Sequence, residues 1–146
     1  MSRTAEYKAL LRRAWDEFYV RGNLDSIEEF LRYDVIAHEP DGDISGIEEV
    51  KRYLATYLAA FPDQSVTIED VIAEGDKVVS RYTVRGTHTG DTDDFGAPTG
   101  RQVHFEGITL YQFRDGKLAE MWDHYDNLNV MQQLGLLPET GPRASS

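Results

Sequence analysis

At 146 residues, 40% of them hydrophobic, the chain is sized for one domain with one core and needs no covalent staple. Its net charge of −11 repels phosphate backbones and anionic lipid, which argues against nucleic acid and membrane as partners. Cysteine is absent, which excludes disulfides, thiol chemistry and cysteine-based zinc sites. No run approaches the length of a membrane span, and the first 18 residues carry charge throughout, so a cytoplasmic protein is expected.

Residues 4–21 place Tyr7, Leu10, Leu11, Ala14, Trp15 and Phe18 at helical spacing, closed by Gly22-Asn23. A short second helix is expected over 24–33, with Leu24, Ile27 and Leu31 on one side. "DVIAHEP" reads as a brief strand stopped by Pro40. "SGIE" at 45–48 has the form of a capping box, serine followed three residues later by glutamate. It opens a third helix with Ile47, Val50, Tyr53, Leu54, Tyr57 and Leu58 on its apolar face, ended by "FPD" at 61–63.

From there the pattern is β. Two strands flank the turn signal Gly75-Asp76, and a polar loop, "GDTDDFGAPTG", follows them. A third long strand, "RQVHFEGITLYQF", turns through "RDGK" into a fourth, "LAEMWDHYD". A short helix, "NLNVMQQLG", closes the domain, taken as residues 1–138, with 139–146 a flexible tail. Helices followed by an antiparallel meander define an α+β class.

Alternation sorts the strand side chains. Val78, Ser80, Tyr82, Val84, Gly86 and His88 share one face; Val103, Phe105, Gly107, Thr109, Tyr111 and Phe113 share another. These are the core-facing sets. Gly86 and Gly107 leave space in them, either for a bend or for a ligand cavity. On the last strand Ala119, Met121, Asp123 and Tyr125 alternate with Leu118, Glu120, Trp122 and His124. If the first set points inward, Asp123 is a carboxylate among apolar neighbours, and burial then raises its pKa toward the range useful for proton transfer. Otherwise it caps the next turn or sits in solvent. Adjacent strand residues face opposite ways, so Asp123, His124 and Asp126 do not converge on a metal, and no metal is expected.

The order of motifs resembles the SnoaL-like polyketide cyclases. "HEP" at 38–40, "SGIEEVKRYL", "AFPD" and "IAEGDKVVSRYTVRGTHTG" are followed by "PTG", "FEGITLYQFRDGKLAEMWD" and "QQLGLLP", and the match spans about residues 5–138. The resemblance implies the fold of the nuclear transport factor 2-like and ketosteroid isomerase superfamily. In that fold a curved antiparallel sheet packs on helices to form a cone around a pocket, usually as a homodimer. It further implies ring closure by intramolecular aldol condensation of a hydrophobic carbonyl compound, without metal or cofactor, and carries the acid–base aspartate onto Asp123. Met121 and Thr109 stand where those cyclases place pocket histidines. "DVIAHEP" also resembles the segment holding the catalytic acid of ketosteroid isomerases, which makes Glu39 a possible second carboxylate. His38, Glu39, His88, Thr109, Tyr19, Tyr82, Met121 and Tyr125 complete the expected substrate-binding set. Hydrolysis, dehydration or isomerisation on the same fold is the enzymatic alternative, and a non-catalytic, dimeric small-molecule binder is the other.

Overall fold

The computed structural model describes residues 2–138; the expected C-terminal tail lies outside them. Helix α1 (Arg3–Trp15) starts at Ser2, whose hydroxyl accepts from Ala5 N at 3.2 Å, and runs into a single wide turn at Asp16–Val20. There Arg21 N bonds back to Asp16 O at 2.9 Å, one residue further than an α-helix allows. Turns of this kind redirect side chains and recur at functional sites.

The second helix is shorter than its sequence pattern predicts. A 3-10 turn at Leu24–Ser26 leads into α2 (Ile27–Phe30), and strand β1 (Leu31–Glu39) begins where the helix was expected to continue. Leu31 fits the helical spacing, yet it pairs with Leu118 as the first residue of the strand. Sheet pairing overrides a weak local preference here. Strand β2 (Gly42–Ser45) was not anticipated; it folds back on β1 through Pro40 and Asp41. The expected capping box is displaced as well. Ser45 belongs to β2, Gly46 precedes α3 (Ile47–Ala60) at φ 88°, and the side chain of Glu49, not Glu48, accepts from Ser45 N at 3.2 Å.

Strands β3 (Ser65–Glu74), β4 (Lys77–Thr87), β5 (Gln102–Arg114) and β6 (Lys117–Tyr125) form the meander, and α4 (Asn127–Gln133) follows. The β5–β6 turn has both central residues, Asp115 and Gly116, at positive φ, the conformation that matches the twist of paired strands. Strand order is β2-β1-β6-β5-β4-β3, and all neighbours are antiparallel except β1 and β6, which run parallel. The register shifts in β1–β6, β3–β4 and β5–β6, and such irregularities bend a sheet. The result is a six-stranded, curved, unclosed sheet with α1 and α3 against its concave face.

Two apolar clusters fill that concavity. In one, Tyr7, Leu11, Ala14 and Phe18 meet Val78, Tyr111, Phe113 and Leu118, with Tyr7 stacked on Phe113 at 4.1 Å. In the other, at the opposite end, Ala60 and Phe61 meet Val103, Val130 and Leu134. The space at the two glycines in the core-facing sets is taken up by aromatic rings. A Cβ at Gly86 would touch Phe61 at 3.2 Å, and one at Gly107 would lie 2.3 Å from the Tyr82 hydroxyl.

Candidate functional site

Where the two clusters meet, packing leaves a cavity of about 110 Å³. Helical residues Trp15, Tyr19, Tyr53 and Tyr57 form one wall, and strand residues Tyr82, Thr109, Tyr111 and Met121 form the other. Asp123 and Glu39 enter it from β6 and β1.

Asp123 sits directly opposite Thr109 in the β5–β6 ladder. Its Oδ1 accepts from Thr109 Oγ1 at 2.8 Å and from the Tyr82 hydroxyl at 2.6 Å. Hydrogen bonds to an ionised acceptor are short and strong, so these two fix the carboxylate's orientation. Both take the same oxygen, and neither hydroxyl occupies Oδ2. Tyr82 reaches across β5 because Gly107, its ladder partner, has no side chain to block the ring. The tyrosines around the cavity stay protonated: burial foremost pushes the phenols of Tyr19, Tyr53, Tyr57, Tyr82 and Tyr111 well up, and that of Tyr125 to about 12.

Glu39 lies within hydrogen-bonding reach of Asp123, and its Oε2 is buried with no donor among the described residues. A carboxylate in that position has neither water nor a donor to hold its charge. Burial first, then the charge of Asp123, raises the Glu39 pKa to about 9. The pair is therefore one proton donor beside one carboxylate. Two further buried polar atoms on the cavity wall, Trp15 Nε1 and the Tyr57 hydroxyl, also lack partners among the described residues. Unpaired buried donors are costly in an empty cavity and are relieved by a ligand with acceptor oxygens.

The Glu39 arrangement makes stability depend on pH. Below its ordinary pKa of 4.5, Glu39 is protonated in the folded and the unfolded chain alike. As pH rises past that value the unfolded chain releases the proton while the folded chain keeps it, so stability falls until the raised pKa is passed. Each pKa unit of difference is worth about 1.4 kcal/mol, several degrees of melting temperature at this chain length. Glu39→Gln, neutral at every pH, is expected to melt several degrees above the wild type at pH 8 and close to it at pH 4. A gap of equal size at both pH values would contradict the burial of this carboxyl.

Among the other sequence-predicted site residues, Tyr19, Tyr82, Thr109, Met121 and Tyr125 all line the cavity with Glu39 and Asp123. The wide turn at Asp16–Val20 carries Tyr19 and holds it next to Trp15, ring centroids 5.3 Å apart. The Gln64 amide donates to Tyr19 O at 2.7 Å and fixes that turn.

Two histidines lie elsewhere. His38 alternates with Glu39 along β1, so it faces the outside of the sheet, where it stacks on Trp122 at 5.3 Å. Its Nδ1 meets Asp43 at 2.8 Å and its Nε2 meets Glu120 at 2.7 Å. With both ring nitrogens facing carboxylates, each must donate, and the hydrogen bond to Glu120, then that to Asp43, raises the His38 pKa. Its expected pocket role is thus replaced by a surface one. Glu120→Gln is expected to lower the His38 pKa in an NMR titration, and an unchanged value would remove this account.

His88 is fully buried at the end of β4 but outside the cavity wall. Its backbone bonds to Gly100 and Arg101 at 2.9 Å each, and its Nδ1 accepts from Thr99 N at 3.3 Å. The ring packs against Phe61 and Phe95, so it fastens the 89–100 loop instead of reaching a ligand. His124 is exposed, and Asp126 caps α4 by accepting from Asn129 N at 2.9 Å.

Sequence reasoning treated Trp15, Tyr53, Tyr57 and Tyr111 only as core residues, although all four line the cavity. The available signal was chemical: three tyrosine hydroxyls and an indole N–H, all on faces otherwise read as apolar, need partners or space once buried.

Comparison with known proteins agrees with this fold. The model of the SnoaL-like polyketide cyclase family matches residues 9–134. Among solved structures, the chain is similar to a protein of Jannaschia sp. CCS1 provisionally named a SnoaL-like polyketide cyclase. That pair is 26% identical at TM-score 0.83 and covers 94% of this chain and 98% of the other. AclR of Streptomyces galilaeus, provisionally named a hydroxylase, is 30% identical at TM-score 0.79, covering 95% of this chain and 87% of that one. An NTF2-like protein of unknown function from Burkholderia pseudomallei K96243, 20% identical at TM-score 0.76, covers 92% of this chain and 98% of its own, and shares the fold. No curated protein matches the chain. No helix among the described residues is long and apolar enough to cross a membrane. A family match over most of the chain, on a curved sheet that presents a carboxyl pair to an aromatic cavity, assigns the chain to the SnoaL-like polyketide cyclase family.

Proposed function

We propose that the protein is a cofactor-independent enzyme that transfers a proton next to a carbonyl, with Asp123 as base, and that ring closure of a mostly apolar oxygenated compound is its reaction. The observation that carries this reading is the pairing in one aromatic cavity of an oriented Asp123 with a protonated Glu39. Asp123 removes the proton from the carbon beside a carbonyl, and the C–H electron pair moves toward the carbonyl oxygen. Glu39 donates a hydrogen bond to the enolate oxygen so formed. The enolate carbon then attacks a second carbonyl of the same molecule, a carbon–carbon bond forms as that carbonyl's π bond breaks, and the new alkoxide takes up the proton that Asp123 removed, which restores the base. The cavity wall keeps the two carbons close, converting a collision into an intramolecular step. Because the carboxyl pair supplies both proton donor and acceptor, the chemistry needs no metal or cofactor. Thr109 supports the reading as a hydrogen-bond donor to Asp123, at the position where the resemblance places a histidine.

The protonated Glu39 also favours a second reading, dehydration, in which it gives its proton to a leaving hydroxyl. Solvent-deuterium exchange into a panel of β-keto esters and cyclic ketones tests the shared first step. Exchange catalysed by the wild type supports proton abstraction, and its absence across the panel while the same compounds bind would overturn it. We further propose a homodimer, supported by the exposed Ile72 and Ile108 on the outer face of the sheet, and a cytoplasmic location. Sedimentation at micromolar concentration tests the dimer.

A further inference from the structure

The cavity around Asp123 is too small to be the whole binding site. At about 110 Å³ it falls below the roughly 150 Å³ that holds one benzene, and ligand sites commonly span roughly 300–1,000 Å³. A second chamber of about 370 Å³ lies beside it, between α3, the 91–96 loop and α4. Tyr53, Tyr57, Phe105 and Tyr125 line both chambers and separate them. Tyr53 and Tyr125 both stand in this partition, and Phe105 packs on Tyr125 at 5.1 Å. Beyond it the wall is set by Phe61, Phe95, Val130 and Met131, with the exposed Asp41 and Asp94 in its lining.

The polar demands of the two chambers differ. Two of the unpartnered groups, Trp15 Nε1 and the Glu39 carboxyl, line only the inner one, while the third, the Tyr57 hydroxyl, stands on the partition. Beyond the partition the outer wall offers mainly apolar side chains, with Thr56 and Asn127 among them, and, in Asp41 and Asp94, carboxylates that repel anions. We infer that the substrate is elongated: an oxygenated head smaller than a benzene ring, of the size of an acetyl group, enters the inner chamber, and an apolar, non-anionic body occupies the outer one. Which end reacts rests on the proton-transfer reading above; the division of the ligand between two chambers does not. Tyr53, Phe105 and Tyr125 then set how wide a molecule can pass, and Met131 and Thr56 set how long its body can be.

The test measures binding by calorimetry to the Asp123→Asn protein, so that no turnover enters the reading. Acetophenone supplies an acetyl head with one ring at the partition, and 4-acetylbiphenyl adds a second ring that reaches the outer chamber. Burial of that ring in the outer chamber is expected to tighten binding about tenfold or more. Met131→Trp fills the outer chamber from α4, and Thr56→Trp fills it from the accessible side of α3, which guards against failure of the first to fold. Each is expected to erase the gain while acetophenone binds as before. Equal affinity for the two ketones, a gain that survives both tryptophans, or no binding of either ketone would overturn the inference. Absence of proton exchange by the wild type, with the length gain intact, would instead overturn the catalytic reading alone.

Discussion

Replacing Asp123 by asparagine is expected to slow solvent-proton exchange into a bound ketone by about 10²–10⁴-fold, the usual contribution of a positioned general base. The argument rests on geometry that the substitution preserves. An asparagine carbonyl accepts from Tyr82 and Thr109 as Oδ1 does, so the two hydroxyl donors keep their partner and the cavity keeps its shape. What disappears is the basic oxygen. The fold is expected to survive, because the Asp123 charge is one of the causes that hold the Glu39 pKa up, and removing it relieves a like-charge conflict in a buried site. Melting temperature at pH 8 should therefore stay level or rise while exchange collapses. If exchange persisted at the wild-type rate in a folded Asp123→Asn protein, Asp123 would not be the base, and Glu39 would be the group to substitute next.

The pair itself shows what was legible in the sequence and what was not. Strand alternation sorted β4 and β5 because each has a long run of clearly apolar positions to set its phase, and Ser80, Tyr82, Thr109 and Tyr111 follow that phase; β6, where Asp123 interrupts a short mixed run, stayed open. β1 offers no such run beyond "DVIA", so the sequence brought His38 and Glu39 to the same segment without deciding which of them turns inward. The answer depends on pairing with β6 in parallel, a contact between residues more than 80 positions apart that no local pattern announces. The two histidines misassigned to the pocket fail for separate reasons: His38 by one step of alternation, His88 because a loop folds over it. Trp15 and Tyr57 were hidden in another way. Helical periodicity marks them as inward, but whether an inward polar tip meets a partner or a cavity depends on the facing wall, which the sequence of one helix does not contain.

Gly107→Ala is the substitution that should separate orientation of the base from its presence. A Cβ at this position would stand 2.3 Å from the Tyr82 hydroxyl and 2.4 Å from its ring carbon, far inside contact distance. The backbone of Gly107 is held in the ladder between Tyr82 and Tyr125, so the ring must move. Overpacking of this kind costs about 1–3 kcal/mol, and losing a hydrogen bond to a charged acceptor costs about 1.5–3 kcal/mol. The variant is therefore expected to melt several degrees lower and to exchange protons at least about tenfold more slowly, although Asp123 and Glu39 are both intact. Tyr82→Phe supplies the comparison. It removes the 2.6 Å bond without adding volume, so it should share most of the loss in exchange and show less of the loss in stability than the glycine variant. A Gly107→Ala protein that destabilises but exchanges at full rate would mean that Thr109 alone orients Asp123. A Tyr82→Phe protein with wild-type exchange would lead to the same conclusion from the opposite side. If both variants slow exchange equally while differing in stability, the role of Gly107 is to leave room for one phenol to reach across a strand and hold the base in place.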